Sequence, residues 1–190
     1  MPKTNPNHTT STNSTTPLAV AHRDAQAAAH HAALKPQVVR SPQLRAVLRM
    51  LPPELRTSDT TYISINSYGA QHEVYIYVYL RDLSSFKDDP RLTRVLERFA
   101  GEEWTADTTD WTGNTLPNRD YRFTRTMPWV TGMRSPHARW LAEHGDLPTT
   151  LKVSVTLAAY VRSDSPTCRI VTTGIKEEIV RREIREIVCE

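Results

Sequence analysis

Cysteine, phenylalanine and glycine are scarce in these 190 residues, with two, three and six copies respectively. Cys168 and Cys189 are too few for a disulfide scaffold, and they lack the paired spacing of a zinc site. Both thiols are expected to be reduced in a cytoplasm. No run approaches the roughly 18 apolar residues of a membrane span. The N-terminal lysine is followed by no apolar segment of the kind a secretory leader carries. The sequence therefore predicts no membrane contact and a cytoplasmic location, the host's if the chain is phage-encoded. Catalytic motifs are absent as well. There is no Gly-rich phosphate loop, G-x-S-x-G elbow, H-E-x-x-H pair or EF-hand loop. Ser84-Ser85-Phe86-Lys87 matches S-x-x-K but lacks that motif's companion elements. No catalytic residue, metal ligand or cofactor is assigned on these grounds.

Excess charge of one sign is also missing from most of the chain. The formal net charge is +3 and the isoelectric point is near 9.0. Residues 1–40 hold Lys3, Arg23, Lys35 and Arg40 against Asp24, which leaves 20 basic and 20 acidic side chains in the remainder. Phosphate recognition needs clustered Lys and Arg, so an electroneutral body disfavours nucleic acid as a partner.

Residues 1–16 are almost entirely Thr, Asn, Ser and Pro and are expected to be disordered, since they cannot bury enough apolar surface to offset the entropy of ordering. Residues 17–35 are alanine-rich, so a transient helix is conceivable, yet methyl groups alone offer little to dock with. Residues 1–40 are accordingly read as a low-complexity tail, and 41–190 as a single domain. His8, His22, His30 and His31 lie in the tail. Imidazoles suit zinc, copper or nickel, but no thiol or carboxylate cluster accompanies them, and a polar tract is the favoured reading. The 19 arginines against five lysines, with the Ala/Thr-rich tail, fit a high-GC bacterial or phage genome.

Within the body, Ser41-Pro42 followed by Leu44, Val47, Leu48 and Leu51 predicts a short capped helix. Residues 61–67 and 73–80 alternate cleanly around Tyr68-Gly69-Ala70-Gln71, which predicts a β-hairpin. Asp88-Asp89-Pro90 opens a helix bearing Leu92, Val95, Leu96 and Phe99. A second hairpin is expected across 102–129, and a helix from Ser135-Pro136 to Gly145. Residues 151–161 read as a long strand and 168–173 as a shorter one. Segment 175–189 has helical charge spacing, but its apolar residues are all β-branched; strand is preferred, which would bring Cys168 and Cys189 close. The fold class is α+β: an antiparallel sheet with two to three helices on its apolar face, preceded by a disordered N-terminal tail.

Three groups of residues could carry function. Strand parity puts Tyr62, Tyr75, Tyr77, Tyr79 and Tyr160 on the face opposite the aliphatic core, among Ser64, Asn66, Lys152, Ser154 and Thr156. Tyrosine offers a rigid contact area with a polar tip, so this face can bind a protein or a second copy of the chain. Two blander readings compete: a ladder that only stabilises cross-strand pairs, or a second core covered by another element. Secondly, Arg119, Tyr121, Phe123 and Arg125 share a face and could stack and neutralise single-stranded nucleic acid. Thirdly, Glu102, Glu103, Asp107 and Asp110 near Trp104 and Trp111 could serve a small carboxylate-dependent hydrolase. His137 and His144, two helical turns or roughly 10 Å apart, are too distant to share one metal ion. The reading favoured by the sequence is a non-enzymatic interaction protein that binds a partner, or itself, through the tyrosine face or an edge strand.

Overall fold

The computed structural model describes residues 16–68, 71–111, 117–129, 135–165, 168–176 and 182–189, without the side chains of 67, 68 and 172–186. Residues 1–15, expected to be disordered, lie outside this set, as do the tip of the first hairpin and most of the loop of the second. The elements run α1 (Pro17–Val39), α2 (Pro42–Met50), β1 (Thr61–Tyr68), β2 (Gln71–Leu83), α3 (Pro90–Phe99), β3 (Thr105–Trp111), β4 (Asn118–Pro128), α4 (Pro136–Glu143), β5 (Thr150–Val161), β6 (Cys168–Lys176) and β7 (Arg182–Cys189). The chain is α+β, with a five-stranded sheet in the order β1-β2-β5-β4-β3 and a separate two-stranded ribbon of β6 and β7.

Local chemistry accounts for most element boundaries. Ser41 caps α2 by accepting from the Leu44 amide at 3.2 Å, and Asp89 caps α3 by accepting from the Arg91 amide at 3.0 Å. Each cap is followed by proline, whose missing N–H costs nothing in the first turn. Gly145 closes α4 at φ 77°, a conformation that glycine adopts without a Cβ clash.

Two features depart from the sequence reading. The sheet is mixed, because β2 and β5 at its centre run parallel, Val74 opposite Val153 and Ile76 opposite Val155. Parallel neighbours need a crossover, and residues 84–149 supply a long one that carries α3, the β3–β4 hairpin and α4. The second departure concerns residues 17–39. These form a fourth helix, and its C-terminal half is anchored, with His31, Leu34 and Val38 buried. Ala27 packs against the same core. The 1–40 stretch is therefore not a uniform tail. Alanine supplies the helix, and a narrow stripe of larger side chains supplies the dock.

One face of the sheet carries the core. Val74, Ile76, Val78 and Leu80 from β2 join Leu151, Val153, Val155, Leu157 and Ala159 from β5 in one cluster. The helices contribute Leu34, Val38, Leu44, Val47, Leu92, Val95, Phe99, Ala138 and Leu141 to it. Residues 182–189 are strand, not helix, and Cys189 lies directly across from Cys168. A disulfide joins the two, which corrects the expectation of two reduced thiols. Because β6 and β7 pair only with each other, reduction is expected to open this ribbon while the five-stranded sheet stays folded. Amide hydrogen exchange with and without reductant checks this. Protection should fall in 168–176 and 182–189 and hold in 150–161.

Candidate functional site

Among the described residues, none forms a second layer over the tyrosines on the other face of the sheet. Alternation in β1 and β2 turns Tyr62, Tyr75, Tyr77 and Tyr79 away from the core, with Tyr62 opposite Tyr77 and Ser64 opposite Tyr75. Tyr62 is 60% exposed, Tyr77 37% and Tyr79 36%. Among the described residues no other part of the chain covers these three rings, so the described residues build no second core at these positions. Tyr62 and Tyr77 lie with ring centroids 6.3 Å apart, which is cross-strand contact. Tyr75 is half-buried, and its hydroxyl donates to Glu73 at 2.6 Å. That hydrogen bond, and beyond it the Lys152 ammonium at 3.4 Å, hold the Glu73 carboxyl below the usual glutamate range.

Register extends the face across all five strands. From β5 it receives Lys152, Ser154, Thr156, Ala158 and Tyr160. From β4 it receives Asp120, Arg122, Thr124 and Thr126, opposite Ala158, Thr156, Ser154 and Lys152 respectively. From β3 come Asp107, opposite Arg122, and Trp111, which is 49% exposed and donates from Nε1 to Asp120 at 2.9 Å. At Ser154 and Thr156 the middle strand is thus low between Tyr75 and Tyr77 of β2 on one side and Arg122 of β4 on the other. Strands about 4.8 Å apart place the flanking rows about 10 Å from each other. The result is a depression of about 350 Å³ lined by Tyr75, Tyr77, Arg122, Thr124, Lys152, Ser154 and Thr156. Ser154 and Thr156 form its buried floor, and the Thr124 and Ser154 hydroxyls are 3.4 Å apart. Tyr160 shares the face but lines a different recess at its far end, of about 690 Å³, with Arg81, Asp82, Arg162 and Asp164.

The second group of sequence candidates sits elsewhere. Arg119, Tyr121 and Arg125 do share one face with Phe123, but it is the helix-covered one, because their partners on β5 are Ala159, Leu157 and Val153. Arg119 is paired with Asp110, its second arm at 2.9 Å, and lies 4.9 Å from the Phe86 ring centroid. Arg125 is paired with Glu103 and approaches Trp104. Tyr121 is packed against the core. These cations already have counter-charges, and these rings lie apart from the tyrosine face.

Those same ion pairs disperse the proposed carboxylate site. Asp110 and Glu103 are each neutralised, and Asp107 projects from the opposite side of β3 to Asp110, where its Oδ1 accepts from the Thr108 amide at 2.8 Å. The expected acid–base constellation therefore does not assemble. Among the described residues, no group of three His, Cys, Asp or Glu side chains could hold a metal ion. No helix of the described residues is long and apolar enough to cross a membrane.

Sequence reasoning missed Arg122, Thr124 and Trp111. The signal was present in β4: the parity that groups 119, 121, 123 and 125 puts 120, 122 and 124 on the other side. Local sequence does not reveal which side the helices occupy. With this geometry established, comparison with protein-family models, with curated proteins and with solved structures finds no match.

Proposed function

We propose that this chain is a non-enzymatic interaction module that binds a protein partner, or a second copy of itself, through the open face of its five-stranded sheet. The carrying observation is the exposure of Tyr62, Tyr77, Tyr79 and Trp111 on one continuous surface, among the small side chains of Ser64, Thr124, Ser154 and Thr156 and a set of charges of both signs. Rigid aromatic anchors among small hydrogen-bonding side chains are the composition that recurs in protein-binding surfaces, where aromatic truncations carry most of the lost affinity.

Charge argues for protein over nucleic acid. Lys152 and Arg122 are offset on this face by Glu73, Asp107 and Asp120, so no net positive field would attract a phosphate chain. A bacterial or phage origin and a cytoplasmic setting accompany this reading from the sequence alone. The Cys168–Cys189 disulfide weighs toward a more oxidising setting than the cytoplasm.

The test is a variant carrying Tyr62→Ser, Tyr77→Ser and Tyr79→Ser. The wild-type chain is expected to show a concentration-dependent mass by light scattering or to retain a defined partner at fixed stoichiometry. The variant should lose that association at least tenfold, about 1.4 kcal/mol, with its urea midpoint nearly unchanged. Undiminished association in the variant defeats the reading, as does global unfolding, which would make the face structural.

A further inference from the structure

The depression on the open face is chemically asymmetric. At one end Lys152 is paired with Glu73, which also accepts from Tyr75 and Gln71, so that end is closed on itself. At the other end stands Arg122, in the row formed by Tyr77, Thr156 and Asp107. Arg122 is exposed and has no ion-pair partner among the described residues. Asp107, directly across from it, spends one carboxylate oxygen on the Thr108 amide. The two other arginines of β4, by contrast, illustrate what a satisfied guanidinium looks like here: Arg119 has Asp110 and Arg125 has Glu103. The lining itself holds two cations, three hydroxyl side chains and two tyrosines, and no carboxylate.

We infer that this depression receives a single carboxylate from an acidic, extended segment of the protein partner, with Arg122 as its counter-ion. This rests on the proposal that the open face is the binding surface, and it adds the chemistry of what binds. A guanidinium pairs with a carboxylate through two parallel N–H···O bonds, and the Thr156 and Thr124 hydroxyls beside it can donate to the same group. A lone cation matches one negative charge. Further negative charges beside it, such as a string of phosphates, would meet Asp107 across the β3–β4 pairing and Asp120 two residues along β4. The width of the depression, one residue row between two flanking rows, suits an extended chain running along β5.

Titration of the ¹⁵N-labelled full-length chain with an acetylated, amidated pentaalanine peptide carrying one central glutamate tests this, followed by amide and arginine Nε chemical shifts. Saturable shifts are expected at Arg122 Nε and at the amides of Thr124, Ser154 and Thr156. The same peptide with glutamine at its centre should produce none. Arg122→Gln should weaken the peptide at least tenfold with the spectrum elsewhere unchanged, and Asp107→Asn should strengthen it by removing the competing carboxylate. Shifts from the glutamate peptide that survive Arg122→Gln, or that centre on other arginines, overturn the inference. So does a ten-nucleotide oligo(dT) that perturbs these residues at lower concentration than the peptide, which would make the site one for nucleic acid. The two readings fail separately. If Arg122→Gln is silent while the triple tyrosine variant abolishes association, the open face stands as the interface and only the acidic partner falls. If both are silent, both fall.

Discussion

Deleting residues 1–40 is expected to cost several kcal/mol of folding stability, whereas deleting residues 1–15 alone should change it by less than about 0.5 kcal/mol. The larger truncation removes Leu34 and Val38, both fully buried against the sheet and its helices. Taking a buried leucine down to alanine costs about 2–5 kcal/mol, and here a second apolar side chain and the helix itself go too. The truncation also strips His30 from Trp140, where the two rings stack with centroids 4.4 Å apart, and it uncovers the apolar surface α1 shields on α4 and β1. Urea unfolding followed by far-UV circular dichroism checks the pair of truncations. Leu34→Ala in the full chain provides a milder version, with an expected loss of about 2–5 kcal/mol. Equal midpoints for the full chain and the 1–40 deletion would show that α1 is not part of the cooperative unit.

That expectation also marks where the sequence was readable and where it was not. The anchoring stripe is present as Ala27, His31, Leu34 and Val38, a spacing of four, three and four residues that keeps one helical face. It is hard to see because one member is a methyl group and another an imidazole, so a search for large apolar side chains passes over it. The alternation in β2 and β5 was legible in full, because both faces of those strands differ sharply in polarity. The strand order was not. Which strands become neighbours depends on how the long crossover returns, and nothing local to 73–80 or 151–161 encodes that. Helical charge spacing in 175–189 competed with β-branched side chains, and for 182–189 strand pairing with 168–176 settled the contest by tertiary context. For the site, parity assigned the tyrosines to one surface, but openness follows only from the helices all packing on the other. Arg119, Tyr121 and Arg125 were grouped correctly by parity and assigned to binding only because the covered side of β4 could not be told from the open side.

Acidification from pH 7 to pH 4.5 is expected to destabilise the fold steeply through its buried histidines. His72 projects from β2 onto the core side, fully buried, with its ring edge-on to Trp129 at 4.3 Å and to His31 at 6.5 Å. Burial, and secondarily the neighbouring His31, lower its pKa to about 4. Burial also lowers that of His31, with Asp146 pulling upward and His30 downward. Beside them the Nδ1 atoms of His30 and His137 approach to 3.0 Å, a contact that needs one ring to donate and the other to accept.

The sign of the pH dependence follows from proton uptake. An unfolded histidine titrates near 6.5, whereas folded His72 resists protonation until about pH 4. The unfolded chain therefore binds more protons across that interval, so stability is complete above pH 6.5 and declines as pH falls toward 4. If the whole depression is expressed, His72 alone accounts for up to about 3 kcal/mol. Glu73 and Asp89, whose carboxyls are held low by hydrogen bonds and neighbouring cations, withdraw their contributions only below the unfolded carboxylate range. The interval from 6.5 to 5 is thus left to the histidines. Urea midpoints measured between pH 7.5 and 4.5 should fall with a midpoint loss concentrated in that interval. His72→Gln, neutral at every pH, should flatten the slope there whatever it costs at pH 7.5. A variant that loses stability with acid as steeply as the wild-type chain would place the proton uptake elsewhere and leave His72 a spectator.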